Sequence, residues 1–262
     1  FQSFVDSRAD AFTPEILSDA SLLSGGERTC EEQINNVLAQ YSFDALLLAR
    51  YDSAELMKYF DGREDWVCLY ADAWYAFYVP ATDAARFAAE YMTLNGKTNE
   101  ANEYLLDVYV DTDVNIQYVT PDDIISAFQQ DENVLVFFSD AQNNECRELA
   151  EMLVQQMKQN EYDNLFVCNI LPYRMEYGYN GAGELIVTQN RSEGYDELLA
   201  ELDALLPQYE VKGNGGDLPN VTLDVKTIPV PLVLQINTEG AVYALDIDAV
   251  NNPRLLMKNS GT

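Results

Sequence analysis

The apolar positions of this chain fall into short blocks, and the clearest of them lies between residues 133 and 157. Val134 to Phe138 is an unbroken apolar run, a polar corner follows, and then Cys146, Leu149, Ala150, Leu153, Val154 and Met157 recur at helical spacing. This predicts a buried strand feeding an amphipathic helix, with the rest of the chain arranged around the pair. Before it, short strands are predicted at 45–49, 66–70 and 74–79, with alternation from Tyr104 to Val110 reading as another. After it come strands at 165–170 and 185–187, and a closing hairpin at 232–236 and 241–247 across the turn 237–240.

Helix signals interleave with these strands. Thr13-Pro14-Glu15 and Thr29, with Glu32 three residues on, open two helices in the first 42 residues. Ser53 caps a short helix, Thr82 or Asp83 starts one carrying Phe87, Ala88 and Tyr91, and residues 192–206 place five leucines on one side. Thr120-Pro121-Asp122-Asp123 caps a further helix with Ile124, Ile125 and Phe128 on its apolar face. The fold class is therefore α/β, with a small N-terminal α/β domain over residues 1–112 and a second domain over 113–262. The aromatic hairpin of the first domain, with Trp66, Tyr70, Trp74, Tyr75, Phe77 and Tyr78, is expected to pack in its core, although such a face can also stack sugars or clasp a peptide.

Composition narrows the chemistry. Fifteen Lys and Arg stand against 44 Asp and Glu, a net charge of −29 spread over both halves. Such a surface repels phosphate backbones and anionic lipid, so no nucleic-acid partner is expected. No apolar run is long enough to span a bilayer, so no membrane insertion is expected. With no histidine at all, Ser-His-Asp and Cys-His catalysis and imidazole-held zinc are excluded within this chain, and no metal or cofactor is expected. The chain starts at Phe1 rather than Met. Export after removal of a signal segment is one reading and an arbitrary domain cut the other, with 17 Tyr and a very acidic balance favouring export.

Three short matches carry no chemistry. Leu23-Ser24-Gly25-Gly26-Glu27 copies the signature peptide of ABC-type ATPases, but Gly96-Lys97-Thr98 lacks the first glycine and the leading strand of a Walker loop. Asp111 to Asn115 imitates the start of an EF-hand loop, yet Ile116 occupies its glycine position and Asp122 its final glutamate.

Residues 113–250 resemble the thioredoxin fold, whose central mixed sheet is flanked by helices. The corner that carries Cys-x-x-Cys in that family reads Asn143-Asn144-Glu145-Cys146 here. The resemblance implies a cis-proline at the start of the 232–236 strand, with Pro231 the better counterpart and Pro229 the other candidate in Ile228-Pro229-Val230-Pro231. It also shows a long insert, residues 171–225, where the family uses a shorter connection. Asn143 stands at the nucleophile, Gln142 at the aromatic residue before it, and Phe137 at the buried acid, so no catalytic residue is expected. Gln142, Asn143 and Pro231 would share one shallow surface, with Tyr173, Tyr177 and Tyr179 of the insert as a possible wall.

The four cysteines allow three pairings. Cys30 with Cys68 is a candidate structural disulfide if the protein is exported, and Cys146 with Cys168 is conceivable. The expected function is non-catalytic binding or scaffolding of an unidentified protein or peptide, at a bacterial cell surface or in the extracellular space, with a lipoprotein anchor one form of attachment. The alternative is a thiol-disulfide oxidoreductase acting through Cys146 with a partner's thiol.

Overall fold

The computed structural model describes residue 19 and residues 31–50, 53–128, 134–160, 164–213, 218–236 and 242–244. The helix expected at Thr13, the cap at Thr29 and the turn 237–240 lie outside them. The fold is mixed α/β, and the chain divides into two compact units, Phe1–Asn95 with Asp107–Thr112, and Gly96–Leu106 with Asp113–Thr262. The second unit thus takes in a segment that the sequence reading assigns to the first.

In the first unit, helix α1 (Glu31–Gln40) precedes strand β1 (Leu46–Ala49), helix α2 (Ala54–Asp61), strands β2 (Trp66–Ala71) and β3 (Tyr75–Pro80), and helix α3 (Asp83–Met92). The strands form an antiparallel sheet in the order β1-β3-β2. Leu46 and Leu48 alternate inward, and with Ala76 and Tyr78 of β3 they meet Ile34 and Val37 of α1 and Leu56 and Phe60 of α2. Each Leu, Ile, Val or Phe side chain buried there contributes roughly 1.5–3 kcal/mol. Thr82 caps α3 by accepting the Ala85 N–H.

In the second unit, β4 (Ile116–Tyr118), helix α4 (Pro121–Ala127), β5 (Val134–Phe138), helix α5 (Asn144–Asn160) and β6 (Asn164–Cys168) follow in turn. Two hairpin strands, β11 (Leu232–Ile236) and β12 (Val242–Ala244), close a five-stranded sheet in the order β12-β11-β5-β6-β4. β4, β6 and β5 are parallel, while β11 runs antiparallel to both β5 and β12. Thr120 and Asp123 form a reciprocal capping box on α4, with Pro121 in its first turn. Every residue of β5 is buried, as expected of a strand covered on both faces. Val134, Val136 and Phe138 pack with Ile124 and Ala127 of α4 and with Tyr195, Leu198 and Leu202 of the insert. All six apolar positions of α5 named above are buried.

The described residues of the insert form regular elements. They hold the hairpin β7 (Glu176–Tyr179) and β8 (Leu185–Gln189), helix α6 (Glu193–Leu202) capped by Ser192, a 3-10 turn at Asp203–Leu205, and the hairpin β9 (Gln208–Val211) and β10 (Val221–Lys226). The expected strand over Tyr104 to Val110 is not formed. Among the described residues this extended stretch bonds to side chains instead of a neighbouring strand, apart from a single bridge between Thr98 and Tyr104. No helix among the described residues is long and apolar enough to cross a membrane.

Candidate functional site

The corner between β5 and α5 is built almost wholly from side chains that bond to the local backbone. Ser139 N–H donates to the Cys168 carbonyl at 3.2 Å as β5 ends. Asp140 then turns the chain, its carboxylate accepting Gln142 N–H at 2.9 Å and its carbonyl accepting Asn143 N–H at 3.0 Å. Asn143 follows as the helix cap: its Oδ1 accepts Glu145 N–H at 2.8 Å and Cys146 N–H at 3.1 Å. The Asn143 side chain is thus fixed to the first turn of α5.

Cys146 lies one turn in and is fully buried, its sulfur accepting Asp140 N–H at 3.4 Å. That bond favours a thiolate, but burial dominates and pushes the thiol up to about 12. Burial pushes Cys168 up to about 12 as well, and the two remain free thiols rather than a disulfide. A thiol so placed is protonated at neutral pH and out of reach of a second sulfur in solution. Cys68, also a free thiol, is half-buried and donates to the Tyr70 carbonyl at 3.3 Å; its candidate partner Cys30 lies outside the described residues.

Pairing of Leu232 with Phe138 sets Pro231 across from Ser139, at the sheet end from which the corner springs, and the Val230–Pro231 peptide is cis. Gln142 is exposed and Asn143 half-buried. The insert tyrosines pack within their own surroundings. Tyr173 lies against the sheet core, Tyr177 meets Tyr209 edge to face at 5.2 Å between centroids, and Tyr179 donates to the Pro219 carbonyl at 2.7 Å. Tyr209 in turn donates to Glu176 at 2.5 Å, which ties the two insert hairpins together. A cavity lined by Tyr177, Tyr195, Tyr209, Arg191 and Lys226 has about 10 Å³, room for one water.

Two residues at the corner escape a reading by motif. The Asn144 amide pairs with an extended strap of the same unit, donating to the Tyr104 carbonyl at 3.0 Å and accepting Leu106 N–H at 2.7 Å. Arg147, fully buried, donates from Nε to the Leu106 carbonyl at 2.5 Å and from Nη1 to the Ala141 carbonyl at 3.1 Å. The strap Gly96–Leu106 is therefore clasped to the helix start, with Leu105 buried and Tyr104 pointing out. Gly96-Lys97-Thr98 is simply the first arm of the strap, Thr98 bridged to Tyr104 and the Lys97 carbonyl accepting Leu105 N–H. The signal in the sequence is spacing: Arg147 shares a helical face with Ala150 and Val154, which brings a cation to the edge of the core stripe.

Part of the aromatic hairpin departs from expectation. Tyr78 is buried and Trp66 meets Phe60 at 5.3 Å, but Tyr70, Trp74 and Tyr75 are exposed, Trp74 by 72%. Tyr75 lies on the sheet face opposite the one α1 and α2 cover, and Trp74 in the turn before it. Asp72 fixes the tip, its Oδ1 accepting Trp74 N–H and Tyr75 N–H, each at 2.7 Å, and its Oδ2 accepting the Tyr70 hydroxyl at 2.9 Å. Among the described residues no group of three or more His, Cys, Asp or Glu side chains could hold a metal ion. Compared with known proteins, the chain matches no family model, no curated protein and no solved structure.

Proposed function

We propose that residues 113–250 form a thioredoxin-like domain that has given up dithiol exchange and serves binding or scaffolding of a protein or peptide, at a bacterial cell surface or in the extracellular space. The element order supports it: a parallel strand, helix, central strand, helix and third strand, then a later helix and a closing antiparallel hairpin with a cis-proline ahead of it. The observation that carries the loss of chemistry is Asn143, which caps α5 where a nucleophilic thiol would stand and leaves buried Cys146 without a partner to resolve. The net charge of −29 supports a partner that is neither nucleic acid nor anionic lipid.

Insulin reduction in the presence of dithiothreitol tests this reading. The wild-type chain is expected to give the same rate as Cys146→Ala, equal to the reductant alone. Turnover well above that variant would instead make the protein a thiol oxidoreductase working through Cys146.

A further inference from the structure

We propose that the outer edge of β1 in the first unit binds an extended peptide strand with a basic residue, adding it to the β1-β3-β2 sheet. β1 is an edge strand, Leu46-Leu47-Leu48-Ala49, and carries none of the usual guards of an edge: no charge, no proline, no bulge. Arg50 N–H donates to the Trp74 carbonyl at 2.8 Å, which makes that pair a hydrogen-bonded one. By the alternation of an antiparallel ladder, Leu48 and Leu46 also bond inward to β3, whereas Leu47 and Ala49 turn their main-chain groups outward. The Ala49 carbonyl accepts Ser53 N–H at 3.0 Å. Leu47 N–H, Leu47 C=O and Ala49 N–H remain without a strand partner among the described residues.

Side chains favour the same edge. Leu47 is 65% exposed, and the register sets it in one row with Phe77 and Tyr70 across the sheet, beside the row of Ala49 and Tyr75. A residue exchanging both main-chain bonds with Leu47 would extend that row, so it should be apolar. An antiparallel partner runs on past Leu46 toward Asp44, which is exposed at the bend two residues before the strand. The four cations of the described part of this unit are already engaged: Arg50 on the Asp72 carbonyl, Lys58 on Glu55, Arg63 on Asp65 and Arg86 on Asp83. Asp44 is left for a cation of the partner, and Lys or Arg is the residue that fits there. A second copy of a chain carrying −29 charges is the less suitable occupant.

The probe is a fluorescent peptide of alternating Thr and Val with a Lys three residues after its central Val, titrated into the full chain. Replacing that Lys by Glu, or N-methylating the central Val, is expected to weaken binding at least about tenfold, the equivalent of one main-chain bond. At saturation the Leu47 and Ala49 amides should exchange at least about tenfold more slowly, while Leu46 and Leu48 stay as they were. Leu47→Lys, on an exposed side chain, should abolish binding and leave the melting temperature unchanged. Binding without protection at Leu47 and Ala49, or no binding by a chain that remains folded, overturns the proposal. Concentration-dependent dimerisation lost in Leu47→Lys overturns it in favour of a second copy at this edge.

Discussion

Asn143 holds the start of α5 through its side chain. Its Oδ1 satisfies two of the N–H groups that the start of α5 would otherwise leave unpaired. Asn143→Ala is expected to destabilise the chain by about 1 kcal/mol in urea unfolding, whereas Asn143→Asp, which accepts the same bonds and favours the helix dipole, should stay within about 0.5 kcal/mol of wild type. Equal losses for both would mean the cap contributes nothing. The buried thiols set a pH dependence. Cys146 and Cys168 are pushed up to about 12, while an unfolded thiol titrates near ~8.5, so the unfolded chain sheds these protons first as pH rises. Their stabilisation is complete below that lower value and is lost on the way to the upper one. The urea midpoint should therefore fall above pH ~8.5, and less steeply in Cys168→Ala; identical slopes would contradict the assignment.

The strap is the element that most changes the picture of the corner. Leu106 and Tyr104 bond to Asn144 and Arg147 where a strand would have supplied the partners. Arg147→Met takes the donor from the buried Ala141 carbonyl and from the part-buried Leu106 carbonyl and should cost about 1–3 kcal/mol. Asn144→Ala should speed exchange of the Leu106 amide at least about tenfold and leave the interior of α5 protected; an unchanged Leu106 amide would show that the strap is held elsewhere. The β5–α5 pair was legible because an unbroken apolar run and a helical stripe each admit one reading. The α4 cap was equally plain in Thr120-Pro121-Asp122-Asp123. Alternation over Tyr104 to Val110 announced an extended chain, but it carries no information on whether a strand or a side-chain amide completes the bonding. Likewise, the period of two in the aromatic hairpin defined two faces without saying which one the helices cover. The tight turns were hidden in short polar runs, yet Asn99 to Glu103 in the strap and Asn180 to Glu184 in the insert share one design. In each, the Asn side chain accepts two backbone N–H groups and reaches the Glu carboxylate, with a positive φ at Asn102 and Gly183.

At the scale of the whole molecule, charge is the dominant fact. With −29 charges, self-repulsion opposes the compact state and salt screens it. Raising sodium chloride to about 0.5 M should lift the melting temperature by about 2–5 °C; a melting temperature that salt leaves flat would mean that repulsion does not limit stability. The same surface is compatible with a protein that holds partners rather than transforms them, and that view rests on a corner without an accessible thiol. Alkylation of the native chain with iodoacetamide at neutral pH, read peptide by peptide in a mass spectrometer, tests this most directly. Cys146 should stay unmodified in buffer and be fully modified in denaturant, because its sulfur is buried and protonated. Modification of Cys146 in the folded chain at the rate of a free thiol, with Cys168 still protected, would contradict the account.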